Sequence, residues 1–324
     1  MAKISFLKVL QWSDQECRDF LEAQRWPDGP VCPKCGAQNP YTIQRRSKTK
    51  NKVTKLYRCR DCRKDYTATV GSIFEDSKIP LNKWFAGIYL IVSSKKGMSA
   101  HQLYRQLWND DNPGSYRSAW FMLHRIREAM KDKDFPPLTG IIEADETYIG
   151  GKPRGHRKHR TGRPMSDAIK AAWEKKEPVL GIVERGGRIR TVHMGKLTRK
   201  KVQESLVANI DTEKSALLTD EHMYYYGINR TLPHGVIRHK SEYVRGAIHT
   251  QNIESYWANL KRGLFGIYHH VDAGYLGCYL NEFDFRFNRR KITDAERFVS
   301  LVGQVSGRRV LWYCQTEQPE NPFA

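Results

Sequence analysis

The chain has 324 residues, with 55 Lys and Arg against 35 Asp and Glu, which gives a formal net charge of +20 at pH 7. The length exceeds the roughly 100 to 200 residues of a single domain, and the charge indicates a polyanionic partner, for which nucleic acid fits better than a membrane surface. Because no apolar run reaches the roughly 20 residues that span a bilayer, and the N-terminus lacks the apolar block of a signal peptide, we expect a cytoplasmic, nucleoid-associated protein without a membrane partner.

The first motif in the chain is a pair of CxxC units. Cys32 and Cys35 form the first unit, and Cys59 and Cys62 form the second. Each unit can place two thiolates on one side of a tetrahedral ion, and four thiolates suit Zn²⁺. We predict one structural zinc ion in a zinc ribbon within an N-terminal region, residues 1–78; a redox role for one CxxC pair is the alternative.

Residues 79–137 have apolar side chains at helical spacing, which predicts three helices. Ser99 is a plausible N-cap of the second helix, and Asn112–Ser115 separates the second helix from the third. Two helices across a short turn resemble a helix-turn-helix, so we interpret the segment either as a DNA-binding unit or as ordinary three-helix packing. Phe135–Pro137 closes it as an interdomain linker.

An apolar and β-branched run at residues 140–149 predicts a strand that carries Asp145. The Gly150–Gly151 pair ends this strand. The residues that follow, 152–163, are strongly basic and contain glycines, which predicts a loop that contacts DNA backbone phosphates; a solvated insertion without a partner is the alternative. The DNA-binding candidates in this loop are Lys152, Arg154, Arg157 and Lys158.

The next segments predict a hairpin over residues 179–193, a helix over 199–208 and a strand over 215–219 that ends at Asp220. Open α/β sheets tend to place ligand sites at the carboxyl ends of strands. The order strand, hairpin, helix, strand is that of an RNase H-like fold, an α/β class with a mixed sheet flanked by helices, although many other α/β folds begin in the same order. We assign this catalytic domain to residues 138–312, followed by a flexible tail, residues 313–324.

Residues 250–264 predict an amphipathic helix that Thr250 can cap. Glu254 and Lys261 are two turns apart, so both lie on nearly the same side of the helix, at the border of its apolar stripe. A surface ion pair is the alternative interpretation of these two residues.

Three carboxylates stand out as a set: Asp145 within one strand, Asp220 at the end of another, and Glu254 on a helix. Phosphodiester cleavage uses two divalent ions about 4 Å apart, which three carboxylates can hold. Mg²⁺ (or Mn²⁺) suits such oxygen ligands. We predict a two-metal catalytic site at these residues, with five rival acids: Glu143, Glu146, Glu221, Glu242 and Asp272.

In this order, the motifs resemble those of the insertion-sequence DDE transposases of the ISXO2-like group, over roughly residues 15–300. The motifs are the two CxxC units, DETYIGGK from Asp145, TD ending at Asp220, HTQNIE ending at Glu254, LKRG at Leu260–Gly263 and FRFNRR at Phe285–Arg290. The resemblance implies a DNA transposase: metal-dependent hydrolysis frees a 3′-hydroxyl at the element end, and that hydroxyl attacks target DNA without a covalent enzyme intermediate.

The resemblance assigns the metal carboxylates to Asp145, Asp220 and Glu254, and a contact with DNA phosphate to Lys261, with Arg262 beside it. Some relatives carry Asn at the third position, which keeps Asn252 as an alternative to Glu254. The implied partners are the terminal inverted repeats of the element and target DNA, bound by a homodimer or higher multimer.

Other functions stay open on the sequence. A non-catalytic zinc-ribbon DNA-binding protein derived from a transposase would keep the ribbon and lose the chemistry. An RNase H-like nuclease or resolvase would use the same ions on a different substrate. The run Tyr224–Tyr226 suggests a tyrosine nucleophile, but it lacks the Arg and His pattern expected around one, so packing is the favoured role.

Overall fold

The computed structural model describes residues 4–46, 53–108, 114–133, 135–150, 176–237 and 250–308. The chain divides into two compact units, Met1–Asp132 with Arg289–Ala324, and Lys133–Asn288. Within the described residues, no helix is both long and apolar enough to cross a membrane. Some predicted residues lie outside the described ranges, namely Lys152, Arg154, Arg157, Lys158, the rival acid Glu242 and the tail 313–324.

The first unit begins with two helices and a small sheet. These are α1 (Phe6–Gln11), α2 (Asp14–Arg25), β1 (Tyr41–Arg46), β2 (Val53–Arg58) and β3 (Asp65–Tyr66). The strands pair antiparallel in the order β1-β2-β3. Trp26, directly after α2, packs edge-on against Tyr57 and Tyr66 of the sheet. This aromatic cluster supports the sheet, and the fold agrees with the predicted zinc ribbon.

Three helices follow, as the apolar spacing predicts: α3 (Leu81–Ser93), α4 (Ala100–Leu107) and α5 (Tyr116–Met130). The hydroxyl of Ser99 caps α4, because it accepts a hydrogen bond from the Gln102 amide at 3.2 Å. The buried face of α3 includes Trp84, Phe85 and Ile88. The helices are therefore confirmed, whereas their role in DNA binding stays a prediction.

The second unit is built on a five-stranded mixed sheet. Its elements are β4 (Leu138–Ile149), β5 (Glu177–Glu184), β6 (Ile189–His193), α6 (Arg199–Asn209), β7 (Ile210–Asp220), β8 (His234–Ile237), α7 (Gln251–Gly263) and α8 (Ala273–Asn288). The strand order is β6-β5-β4-β7-β8. β5 is antiparallel to both β4 and β6, whereas β7 is parallel to both β4 and β8. This arrangement agrees with the predicted RNase H-like fold.

Apolar cores cover both faces of this sheet. On one face, Ile142 of β4 and Leu217 of β7 share a core with Val202 of α6. On the other face, Val179 of β5 shares a core with Trp257 of α7. Because side chains alternate along a strand, residues of β4 with odd numbers face α7 and those with even numbers face α6.

The last described helix, α9 (Asp294–Gly303), belongs to the first unit. Its fully buried Phe298 stacks on Phe20 of α2, with ring centroids 5.8 Å apart, and lies 5.7 Å from the ring of Phe85 of α3. The predicted catalytic domain extends to residue 312, whereas the second unit ends at Asn288. The boundaries differ because the apolar face of α9 packs on the aromatic core of the first unit.

Candidate active site

Asp145 and Asp220 lie on adjacent parallel strands. The pairing of Glu143 on β4 with Leu218 on β7 places Asp145 and Asp220 two residues further along the same register. Burial first, and then the negative charges of Glu146 and Asp220, raise the pKa of the Asp145 carboxyl to about 7. The sheet therefore brings these carboxylates close enough to repel one another, and a bound cation would relieve that repulsion.

A tryptophan on α7 orients the first of these carboxylates. The Nε1–H of Trp257 donates to Oδ2 of Asp145 at 2.9 Å. The cross-strand neighbour of Asp145 is Gly181 on β5. A Cβ atom at Gly181 would lie 2.6 Å from the Trp257 ring and 2.7 Å from Ile253. The glycine thus makes room for α7 to approach the sheet beside Asp145.

Glu146 faces the opposite side of β4 from Asp145. The hydroxyl of Tyr225 donates to its Oε2 at 2.5 Å, and Nδ1 of His222 lies 3.5 Å from its Oε1. Burial is the main cause that raises the pKa of Glu146. Tyr225 is 1% exposed, and burial raises the pKa of its hydroxyl well above the usual value. A buried phenol that holds Glu146 agrees with a packing role and makes a poor nucleophile.

Glu254 is exposed on α7 and is bonded to the residue that precedes the helix. The hydroxyl of Thr250 donates to its Oε1 at 3.1 Å. The predicted cap of α7 by the Thr250 side chain is wrong, because this side chain makes no capping hydrogen bond. The hydroxyl serves the Glu254 carboxylate instead, and the backbone at Thr250 has φ −115° and ψ 22° rather than the extended geometry of a capping residue.

The first amides of α7 bond to Glu143, one of the rival acids. Oε2 of Glu143 accepts from the backbone amide of Asn252 at 2.9 Å, and its Oε1 accepts from the Asn252 side chain at 2.8 Å. Arg185, in the turn between β5 and β6, forms an ion pair with the same carboxylate at 3.0 Å. Both the backbone amide and the side-chain amide of Asn252 therefore bind Glu143 and fix the start of α7.

The candidate residues are only partly assembled. Among the described residues, the four cysteines form a group whose ligand atoms all lie within 4.8 Å of one another. The carboxylates of Asp145, Asp220 and Glu254 do not form such a group in the described part of the chain. Lys261 is half-buried and Arg262 is exposed in the last turn of α7. The roles of Trp257, Gly181 and His222 were not predicted from the sequence, because none of these residues belongs to a motif, and Tyr225 was predicted only to pack.

The four cysteine thiols have the geometry of a zinc centre. The Sγ atoms of Cys32 and Cys62 are 3.7 Å apart, and those of Cys35 and Cys59 are 3.5 Å apart. Tetrahedral ligands at the usual Zn–S bond length lie about 3.8 Å from one another. Against the effect of burial, hydrogen bonds from the backbone amides of Cys35 and Lys34 lower the pKa of the Cys32 thiol, which favours its thiolate form.

Family models match both parts of the chain in which these sites lie. Residues 137–288 match the ISXO2-like transposase domain, and residues 12–65 match a transposase zinc-ribbon domain. These two domains belong to the ISXO2-like transposases. The first match ends at the residue where the second compact unit ends. The sheet with Asp145 and Asp220 is thus the transposase domain of this family, and the four cysteines belong to its zinc ribbon.

A curated relative supports the assignment to the ISXO2-like transposases. An uncharacterized protein in transposable element ISH50 of Halobacterium salinarum is 26% identical over 280 residues, which cover 85% of this chain and 90% of that protein. No solved structure matches the chain. The family identifies a transposase domain of the nucleic-acid-cleaving DDE class together with a metal-binding ribbon.

Proposed function

We propose that the chain is the DNA transposase of an insertion sequence, which binds the terminal inverted repeats of its element and joins them to target DNA. The observation that carries this proposal is the pair Asp145 and Asp220 on adjacent parallel strands, where Asp220 contributes to the raised pKa of Asp145. The pair lies within the part of the chain that matches the transposase domain.

We assign two divalent ions, Mg²⁺ or Mn²⁺, to Asp145, Asp220 and Glu254. Carboxylate oxygens are the ligands that these ions prefer. When bound, such ions activate the attacking oxygen and stabilise the leaving oxygen of an in-line displacement. Glu254 is favoured over Asn252 as the third ligand because the Asn252 side chain already donates to Glu143.

Several residues of the chain would orient this centre and its DNA. Trp257 fixes the carboxylate of Asp145, and Thr250 fixes that of Glu254. Lys261 lies two turns after Glu254 on the same side of α7 and would contact phosphate beside the scissile bond, with Arg262 next to it. The further phosphate contacts proposed are Lys152, Arg154, Arg157 and Lys158.

The proposed reaction has two displacements at phosphorus. In the first, a water oxygen bonds to the phosphorus at the element end, and the 3′-oxygen leaves and takes a proton. In the second, the freed 3′-hydroxyl loses its proton and bonds to a target phosphorus, and the target 3′-oxygen leaves and takes a proton. Two element ends must meet on one target, so we propose a homodimer or higher multimer.

A joining assay tests this proposal. The full chain is incubated with Mg²⁺, a duplex that carries the inverted repeats flanking its gene, and a second duplex. We expect a product in which the element 3′-end is covalently joined to the second duplex. Asp220→Asn should abolish this product and retain DNA binding, whereas the matched control Glu221→Gln, at the exposed neighbouring acid, should form it.

The outcomes separate the competing functions. Binding without cleavage across varied ends and metals would indicate a non-catalytic DNA-binding protein. Cleavage without joining would indicate a nuclease or resolvase. Joining by Asp220→Asn at the wild-type rate would contradict the assigned site.

A further inference from the structure

A fully buried carboxylate on β4 binds the start of α7. Oε2 of Glu143 accepts hydrogen bonds from the backbone amides of Asn252 at 2.9 Å and Ile253 at 3.3 Å, and its Oε1 accepts one from the Asn252 side chain at 2.8 Å. Asn252 and Ile253 are the second and third residues of α7. Glu143 precedes Asp145 by two residues and takes no part in the chemistry proposed above.

We propose that Glu143 is a positioning residue of the metal site, which fixes the start of α7, and thereby Glu254, relative to Asp145. The inference rests on the proposed function, in which Glu254 is the third metal carboxylate. It assigns a role to a side chain that would contact neither metal nor DNA.

The start of α7 needs an acceptor from elsewhere in the fold. The first amides of a helix have no partner within it. A threonine directly before a helix usually supplies an acceptor through its hydroxyl. The hydroxyl of Thr250 donates to Glu254 instead. Glu143 provides the acceptor from a strand 109 residues away in sequence, and its negative charge also suits the positive end of the helix dipole.

Two contacts set the position of α7 along β4. Glu143 holds the amides of Asn252 and Ile253, and Asp145 accepts the bond from Trp257. Both acceptors face α7 because residues two apart on a strand point to the same side. Glu254 lies in the chain between Ile253 and Trp257. Its backbone therefore cannot slide along the strand without breaking one of the two contacts.

A charged partner balances the buried carboxylate. Nε of Arg185 donates to Oε1 of Glu143 at 3.0 Å, and the backbone amide of Arg185 donates to the carbonyl of Ile141 at 2.9 Å. Glutamine at position 143 would have the same size but would turn an NH₂ group toward these donors. At least one of the bonds that Glu143 accepts from Arg185 and α7 would then be lost, while the apolar packing around the side chain would stay.

The experiment measures Mn²⁺ binding to the full chain by electron paramagnetic resonance of the free ion, with hydrogen exchange of residues 250–257 as a second readout. For Glu143→Gln we expect Mn²⁺ affinity to fall about 10-fold or more, as after loss of an outer-shell partner, and the exchange of these amides to increase. Glu254→Gln should lower Mn²⁺ affinity at least as much. The matched control is Glu184→Gln, which removes a carboxylate paired with Arg188 in the same sheet and should leave Mn²⁺ affinity unchanged.

A rescue variant separates positioning from simple stability. When Glu143→Gln is combined with Asn252→Asp, the introduced amide on β4 can donate to the introduced carboxylate on α7, so we expect Mn²⁺ affinity to return toward that of the wild type. Asn252→Asp alone places two carboxylates together and should weaken Mn²⁺ binding; this variant decides the question if Glu143→Gln does not fold.

Two results would overturn the inference in different ways. Wild-type Mn²⁺ affinity in Glu143→Gln, or in Asn252→Asp alone, together with a loss in Glu254→Gln, overturns the positioning role and leaves the metal site in place. Wild-type affinity in Glu254→Gln overturns the assignment of the third carboxylate and the inference with it.

Discussion

Asp145 is the residue at which charge and metal binding are most closely linked. Burial and the neighbouring carboxylates raise the pKa of Asp145 to about 7, from an ordinary value of 3.8. Below pH 7 the carboxyl of the metal-free protein holds a proton, and a divalent ion must displace it. Competition between proton and metal should therefore be strong at this site near neutral pH.

We predict that Mn²⁺ affinity of the full chain rises between pH 6 and pH 8, by up to about tenfold per pH unit below the pKa. Isothermal titration at the two pH values measures it. Without metal, the free energy of unfolding should fall as pH rises from 3.8 toward 7, because in that range the folded chain holds a proton that the unfolded chain has released. Asp145→Asn should reduce both pH dependences, and Glu146, whose pKa burial also raises, should keep part of the dependence of stability. Equal Mn²⁺ affinities at pH 6 and pH 8 in the wild type would contradict a proton on Asp145 that competes with the metal.

Gly181 offers a test of the approach of α7 to the sheet. An added Cβ would lie 2.6 Å from the Trp257 ring, which is 5% exposed and has little room to move. We predict that Gly181→Ala destabilises the chain by about 1–3 kcal/mol, as overpacking does, and lowers Mn²⁺ affinity by displacing Trp257 from Asp145. Urea unfolding measures the first effect.

The control for Gly181→Ala is Gly277→Ala on α8, where a Cβ would meet no atom within 4 Å. That variant should be neutral or stabilise the helix by up to about 1 kcal/mol. Equal stability of the two variants would mean that Trp257 of α7 does not pack closely against Gly181 of β5.

At the residue scale, sequence patterns predicted the acids but not their partners. Apolar runs predicted the two strands that carry Asp145 and Asp220, and both residues lie on these strands. The bond from Trp257 to Asp145 joins residues 112 apart, and the bonds from Asn252 to Glu143 join residues 109 apart. Such contacts depend on how α7 lies on the sheet, which no local pattern specifies.

At the scale of elements, the zinc ribbon is the element most dependent on a single ion. Its three short strands carry few apolar side chains, and its cysteines already have the spacing of a tetrahedral thiolate site. In such ribbons, metal-binding free energy is folding free energy. The sheet should therefore lose its structure when the ion is removed.

We predict that Cys59→Ser lowers the zinc content from about one ion per chain to none and abolishes protection from hydrogen exchange over residues 53–66. Elemental analysis and exchange measurements test this directly. Cys278→Ser, at a thiol of α8 in the other unit, should keep the zinc. Wild-type zinc content in Cys59→Ser would exclude the four-cysteine site.

The elements show where local patterns suffice and where tertiary contacts decide. The hairpin, β7 and α7 were predicted because their apolar periodicity is clear. The cap of α7 was predicted wrongly, because Thr250 has an alternative partner in Glu254 and a distant acid replaces it. The membership of α9 in the first unit also depends on a distant contact, between Phe298 and Phe20.

At the scale of the whole molecule, the net charge of +20 and the transposase family together indicate that DNA phosphates contribute much of the binding energy. We predict that the logarithm of DNA affinity falls linearly with the logarithm of salt concentration, and that Lys261→Ala reduces the slope by about one. Lys214→Ala is the control, because Lys214 is 74% exposed, pairs with Asp211 and lies toward the start of β7, away from Asp220. An unchanged slope for Lys261→Ala would show that Lys261 does not contact a DNA phosphate.

The central claim is direct attack of the element 3′-hydroxyl on target phosphorus, without a covalent enzyme intermediate. The most direct test is the configuration at phosphorus after joining, with a target duplex synthesised to carry phosphorothioates of a single configuration. One in-line displacement inverts the phosphorus, whereas passage through a phosphotyrosine requires two displacements and retains it. We predict inversion at the joint formed by the full chain in Mg²⁺, and retention of configuration would contradict direct attack by the 3′-hydroxyl.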